Sequence, residues 1–453
     1  VERRLYVLAA TAFIVAAVLG SAWITGQFTT PAVDRANGYV SELAARDQPW
    51  THLFRVSDAL AGLACLLGVA LVPRVAGEGP GWAALAAYGL LVAVGAALPL
   101  DCAVLSNPGC GAAWPPPSRL AHLAAGALCT ASALAAMALL AARWRARTAW
   151  VMTALAVTAT ALVGASLAAG RGAGLADRAL LTLVAVWLVY VALRLLVADW
   201  PVTAHGPPHV VEEGDGPAVL LTGGQGGAWF HWDAVARGLA GARRVIRFDR
   251  PGLGLSPRSP APPSLYAEAA RLAALAPAHP ERVTVVAQGV ACWHAEAFAR
   301  LHPLCVAALV LVEPACPDRR QPPAAARALG RCLPALGATW GAAALARLTG
   351  PAAHRRLAGM PDPYDVYRMG KVPVAVAGEW LARRGMAADL RRLREDKPLP
   401  EVPVTVLAAG RDDGCAGRLA AELGGRLVRA PHARRRLQLR DPRMIVDAVL
   451  ATG

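Results

Sequence analysis

The stretch VTVVAQGVACW, residues 283–293, decides how the second half of this chain folds. Its first five residues are apolar or β-branched, the composition of a strand buried on both faces. Gln288 and Gly289 interrupt the run. The residues that follow, ACWHAEAFARL, return to helical spacing. A strand, a tight turn and a helix are therefore expected in succession, with Gly289 at the apex.

The same alternation extends in both directions. Short apolar runs at 218–222, 243–248, 307–313, 402–409 and 426–430 read as further strands, with helical stretches between most of them. That order predicts an α/β domain around a mostly parallel sheet. Helix-rich residues 317–398 interrupt the series as a cap over one sheet edge does. The domain is expected at 210–453, after a Pro-rich linker at 200–209 (WPVTAHGPPH).

Residues 1–199 are of another kind. Of all 453 residues, 56% are hydrophobic, and the long Ala/Leu/Val runs concentrate here. Six stretches, near 5–25, 57–77, 81–100, 120–142, 149–170 and 177–198, approach the roughly 20 apolar residues that cross a bilayer core. They are expected to be helices, because lipid offers backbone groups no outside partner. The expected architecture is thus a polytopic all-α membrane domain fused to an α/β domain, with the lipid bilayer as a partner.

Arginine placement orients the spans. Arg3, Arg4, Arg74, Arg143, Arg145 and Arg147 fall on one side, packed into short segments. Arg35, Arg46, Arg55, Arg119, Arg171 and Arg178 fall on the other, so the raw counts are level. The dense 143–147 cluster places both termini and the α/β domain inside. Cys102 and Cys110 then lie outside, where a disulfide between them is favoured over two free thiols.

Polar residues in or near the spans are functional candidates. Asp58, Asp101 and His122 are the strongest, with His122 expected one turn inside its helix and near Asp101 as a proton or metal site. Ser57 and Arg194 are expected at helix ends, in reach of interfacial water. The net charge of +15 is carried almost wholly by Arg, since there are two lysines. No aromatic-interleaved basic motif accompanies it, which argues against nucleic acid as a partner. Nine cysteines form no C-x-x-C or zinc spacing, so no metal or cofactor is expected.

SDALAGL, opening the second span, and LDC followed by Cys110 and a His-bearing helix resemble the bacterial six-helix membrane family DUF998. That resemblance covers residues 5–200 and implies six spans in a bacterial plasma membrane. The second half resembles the capped, esterase-like α/β hydrolases through a series of landmarks. LLTGGQGGAWFHWDAVARGLA (220–240) is similar to their oxyanion loop, and FDRPGLGLSP (248–257) to the turn after the next strand. VTVVAQGVACWHAEAFARLHP (283–303) has the form of their nucleophile elbow. ALVLVEPACPDR (308–319) and RLQLRDPRMIVDAV (436–449) are similar to the next strand and the C-terminal segment.

The resemblance implies a serine at the centre of G-x-S-x-G, a histidine and an acid. Here the five elbow positions are Ala287, Gln288, Gly289, Val290 and Ala291, with no nucleophile at Gly289. The acid falls on Asp412 or Asp413, Asp412 being preferred, with a turn-forming or capping Asp as the plain alternative. The histidine position falls on Arg435, which cannot serve as a base, and His432 lies three residues earlier. The Gly223–Gly227 loop retains its backbone donors, so Gly224, Gln225 and Val290 are expected to form an oxyanion-type hole, with Arg435 favouring an anionic ligand.

These readings imply a catalytically inactive hydrolase-fold domain on a membrane anchor, binding a small anionic or acyl ligand or a protein partner the sequence does not identify. Two rivals stand. One is an active membrane-bound esterase using Cys292, or a metal-bound water near His231 and His294; Cys292 as an inert apolar residue is its plain alternative. The other is a transporter or lipid-directed membrane domain, with the hydrolase fold regulatory.

Overall fold

The computed structural model describes residues 2–110, 117–197, 206–259, 261–316, 330, 333–410, 414–430 and 436–452. The chain forms two compact units, Val1–Trp200 with Thr339–Gly341, and Pro201–Ala338 with Ala342–Gly453.

The first unit is a helical bundle. Its long helices are α1 (Glu2–Leu19, continued after a turn by α2, Trp23–Thr29), α3 (Thr51–Leu71), α4 (Gly79–Ala97), α5 (Pro117–Trp144), α6 (Arg147–Ala168) and α7 (Ala173–Val197). Six helical segments are long and apolar enough to cross a membrane. Each packs against its sequence neighbour, and α7 closes the ring against α1. Phe13, Trp82, Met137, Leu140 and Trp187 fill the inside, while Leu60, Leu90, Leu128, Leu162 and Leu193 face outward. Helices α3 and α4 approach most closely at Gly62, where an added Cβ would stand 2.4 Å from the Gly89 carbonyl oxygen. Small residues at such crossings let backbones touch.

The second span differs from its expected limits. Helix α3 begins at Thr51 and stops at Leu71, because Pro73 bars the helical conformation just before it. Asp58 is therefore two turns inside the helix rather than at its end. Ser57 donates from its hydroxyl to the Leu19 carbonyl at 2.9 Å. Arg194 lies over the Trp144 ring, 4.7 Å from its centroid.

The second unit is a seven-stranded sheet in the order β1-β3-β2-β4-β5-β6-β7. Its strands are β1 (Val210–Glu213), β2 (Ala218–Thr222), β3 (Arg244–Phe248), β4 (Val283–Gln288), β5 (Val306–Val312), β6 (Val404–Ala409) and β7 (Arg426–Ala430). Only β1 runs antiparallel, pairing Val210 with Phe248. It was absent from the strands read in the sequence, since four residues beside a Pro-rich stretch carry little periodicity. Leu220 pairs with both Ile246 and Val285, and Val285 with Leu309, which fixes the parallel centre.

Alternation splits the apolar residues into two layers. Leu220, Val285, Leu309 and Val406 pack under α9 (Leu265–Leu275) and α10 (Ala291–Leu301). Val219, Leu221, Val286, Val310 and Leu407 face α8 (Asp233–Leu239) and the C-terminal helix Pro442–Leu450. Both faces being covered, the strands read as continuous apolar runs. This order, with helices on both sides and a turn-helix after β4, is the α/β-hydrolase fold. Helices α11 (Trp340–Ala358) and α12 (Lys371–Asp396) lie within the stretch read as a cap.

Candidate functional site

The elbow is built as its sequence implies. Strand β4 ends at Gln288, Gly289 turns with φ +59°, and α10 starts at Ala291. A left-handed residue between strand and helix suits glycine. The Gly289 N–H donates to the Val312 carbonyl at 3.0 Å, and the Gly289 carbonyl accepts from Ala315 at 3.1 Å. A Cβ on Gly289 would meet only the Gly224 Cα, at 3.6 Å. There is room for a side chain at the apex, and none is present.

The elbow opens on a cavity of about 950 Å³. Its floor is the Gly224–Gly227 backbone, Gln288, Gly289 and Val290, and its apolar wall includes Leu357, Val372, Val376 and Trp380. Of the three amides read as an oxyanion-type hole, Gly224 is already occupied. It donates to the Gln288 side-chain carbonyl at 3.2 Å, because that amide folds back over the loop. Among the described residues the backbone N–H groups of Gln225 and Val290 have no acceptor.

Gln288 is the hub of a polar chain that sequence reading missed. Its carbonyl also accepts from Gln438 Nε2 at 2.9 Å, and its Nε2 donates to Glu313 at 3.4 Å. Glu313, at the end of β5 with φ +47°, accepts from the backbone N–H groups of Arg436 (2.7 Å) and Leu437 (3.2 Å). One carboxylate thus ties the sheet edge to the C-terminal loop. The available signal was a lone polar residue closing each apolar strand, in VTVVAQ and LVLVEP. Arg436 also lines the cavity, and burial pulls its guanidinium below the usual arginine range.

The Gly-rich loop owes its shape to a buried ion pair. Arg250 donates from Nε to Glu379 at 2.7 Å and from its terminal nitrogens to the carbonyls of Gly223 and, at 2.7 Å, Gly224. Glu379 in turn accepts from the Gly226 N–H at 3.0 Å. Both side chains are almost wholly buried. By contrast Asp249 and Ser256 of the preceding turn are structural: Asp249 accepts from the N–H groups of Trp229 and Leu255, and the Ser256 hydroxyl donates to the Asp249 carbonyl at 2.6 Å.

Opposite the elbow stands a stack of His231, His354 and Tyr367. The two imidazoles lie 5.2 Å apart and nearly parallel, with Nε2 to Nε2 at 2.9 Å. His231 Nδ1 accepts from the Ala228 N–H at 3.4 Å, which assigns the proton to its Nε2 and leaves His354 as the acceptor. The His354 proton then sits on Nδ1, a buried atom without a partner among the described residues. Burial, helped by His354 and Arg436, lowers the His231 pKa to about 3, so the pair is neutral. The Tyr367 hydroxyl donates to the Gly226 carbonyl at 2.6 Å.

Cys292 and His294 are not brought to this site. Cys292 is sealed in the core, with its thiol against the Ala287 carbonyl at 3.2 Å, and burial pushes its pKa up. His294 is buried with neither ring nitrogen hydrogen-bonded among the described residues, and so makes no contact of that kind with His231. Among the described residues no three His, Cys, Asp or Glu side chains converge as metal ligands. Asp412, Asp413, His432 and Arg435 lie outside the described residues.

In the helical unit, Asp101 pairs with Arg46 at 3.7 Å, whereas His122 contacts the Leu98 carbonyl at 2.7 Å. Among the described residues no hydrogen bond joins His122 to Asp101. Asp58 has neither as a hydrogen-bond partner. Cys102 and Cys110 are joined by a disulfide, and a second one joins Cys316 to Cys415.

Residues 9–194 match the model of the family DUF998, described as a protein of unknown function. No curated protein sequence matches the chain. Among solved structures the chain is similar to wild-type Cfl2 from Burkholderia cenocepacia, with 22% identity over 54% of this chain and 91% of that one, at a TM-score of 0.43. It is also similar to an alpha/beta hydrolase fold protein from Burkholderia ambifaria, 23% identical over 53% and 93% of the two chains, TM-score 0.39. A thermophilic esterase from Thermogutta terrifontis is 18% identical over 54% and 92%, TM-score 0.38.

Proposed function

We propose that the protein is a membrane-anchored pseudo-hydrolase, whose α/β unit binds a small carboxylate or acyl ligand without turning it over. Gly289 carries this reading: the left-handed turn, the open space above it and the cavity are kept, and the attacking side chain is missing. Acyl transfer on such a turn needs an oxygen or sulfur nucleophile within hydrogen-bond reach of a base. His231 and His354 are consumed by each other, and Cys292 points into the core.

Binding is supported by what the cavity leaves unsatisfied. The amides of Gln225 and Val290 and the guanidinium groups of Arg383 and Arg436 offer donors to an anion, beside an apolar wall suited to a hydrocarbon chain.

The test is hydrolysis of a short-chain p-nitrophenyl ester by the full chain and by a Gly289→Ser, Arg435→His double variant. The wild type is expected to match the buffer rate, and the double variant to exceed it by about 10²-fold or more. Turnover by the wild type above the buffer rate would overturn the reading, and Cys292→Ala would then show whether that cysteine attacks. Quenching of Trp380 fluorescence by octanoate, weakened in Trp380→Phe, would report occupancy directly.

A further inference from the structure

Six candidate spans that all cross a membrane would put the two disulfides on opposite sides of it. Cys102 and Cys110 sit between the third and fourth candidate spans, while Cys316 and Cys415 follow the sixth. Three crossings separate them, and an odd number of crossings changes sides. A membrane that divides an oxidising from a reducing space thus places one of the two pairs in the reducing space, whichever way the helices insert. Disulfides there are characteristically transient and regulatory.

The two pairs also differ in what they hold. Cys102–Cys110 closes a loop with a sequence separation of 8, whereas Cys316–Cys415 spans 99 residues and lines the cavity. Cys316 follows Ala315, whose N–H holds the Gly289 carbonyl at 3.1 Å and whose carbonyl accepts from Trp293 Nε1 at 2.9 Å. Cys415 opens α13 (Cys415–Glu422), directly after the segment that carries Asp412 and Asp413. The bond therefore couples the shelf under the elbow to the helix beyond β6. Cys316 is half-buried, so one sulfur is within reach of a reductant entering the cavity.

We propose that Cys316–Cys415 is a reversible thiol–disulfide switch that stiffens the cavity wall when oxidised and releases it when reduced. The arginine cluster at 143–147 places this pair, rather than Cys102–Cys110, on the reducing side. In the reductive direction a dithiol thiolate attacks one sulfur and forms a mixed disulfide with it. The second thiol of the reductant then displaces the protein sulfur. Two electrons and two protons pass from the dithiol to Cys316 and Cys415, and the reductant leaves as its own disulfide. The switch acts on the wall whatever molecule occupies the cavity.

The full chain in native membranes tests this. Cells are quenched in acid, and free and bonded cysteines are alkylated in sequence with light and heavy iodoacetamide and read by mass spectrometry. Cys316 and Cys415 are expected largely reduced in unstressed cells, oxidised together after diamide, and reduced again on recovery, with Cys102–Cys110 oxidised throughout. In purified protein, dithiothreitol is expected to speed amide exchange in the 312–316 and 287–293 peptides by about ten-fold, as a local opening does. A Cys316→Ser, Cys415→Ser variant should exchange at the reduced rate without dithiothreitol. The wild-type titration stands by itself if that variant folds poorly. A pair that stays oxidised in unstressed cells, or exchange rates equal in both states, would overturn the proposal.

Discussion

The two units meet the same demand in opposite ways. In the helical unit every span closes its own backbone hydrogen bonds, so polar side chains serve to join one finished segment to another, as Ser57 of α3 does with the Leu19 carbonyl of α1. Glu78 accepts from the indoles of Trp82 (2.9 Å) and Trp144 (3.0 Å), and Glu42 accepts from the Leu105 N–H at 2.6 Å. In the α/β unit the bonds run between distant segments, and the loops beyond the strand ends must be tied by side chains. Gln288, Glu313, Arg250 and Glu379 do this. The lesson is that polar ties in the first unit join helices already complete in themselves, whereas in the second a few buried polar pairs set the shape of the loops that form the site.

The largest effect that would sharpen this contrast comes from Glu379→Ala. It leaves the buried Arg250 guanidinium unpaired and frees the Gly226 N–H, an arrangement that costs about 3–5 kcal/mol. Urea unfolding followed by exchange in the 223–227 peptides should show that loss, with the helical unit unchanged. Coupled loss of the bundle would break the comparison.

Acidification comes next. His294 has a pKa of about 3 against 6.5 when unperturbed, because burial and then Arg250 and Arg271 oppose its charge. Between those values the unfolded chain binds a proton that the folded chain refuses, so stability falls as pH drops below 6.5. The slope approaches about 1.4 kcal/mol per pH unit for one such group. His294 has no hydrogen bond to lose among the described residues. His294→Phe should therefore leave neutral-pH stability nearly unchanged and flatten the acid limb of the melting curve relative to wild type. An unchanged limb would show that the group is more solvated than its burial implies.

The smallest expected effect is in the bundle. A Gly62→Ala methyl would enter the Gly89 carbonyl and force α3 and α4 apart, at a cost of about 1–3 kcal/mol for such overpacking. Detergent-induced unfolding measures it, and the α/β unit's ester or ligand assays should not move.

How much was legible follows the same division. Span number came from hydropathy alone, and strand limits at 218–222 and 426–430 came from composition alone, because both are local. The start of α3 at Thr51 was missed because a polar first turn lowers hydropathy without breaking the helix. The four-residue β1 was missed because its evidence is its pairing with β3. At the site, the missing side chain at the elbow apex was plain from one letter, and the turn around Gly289 followed from its neighbours. The occupation of Gly224 by Gln288 was not, since the two are 64 residues apart.

By itself, then, the amino-acid sequence determined what each segment is made of: which runs suit lipid, which suit a doubly covered sheet, and that a glycine stands at the elbow apex. Tertiary structure alone decided which polar groups meet. It joined His231 to His354, Arg250 to Glu379, and Cys316 to Cys415, at separations of 123, 129 and 99 residues. Local propensity acts over a few residues, and pairings at that range exist only once a packed sheet has brought its strand ends to one edge.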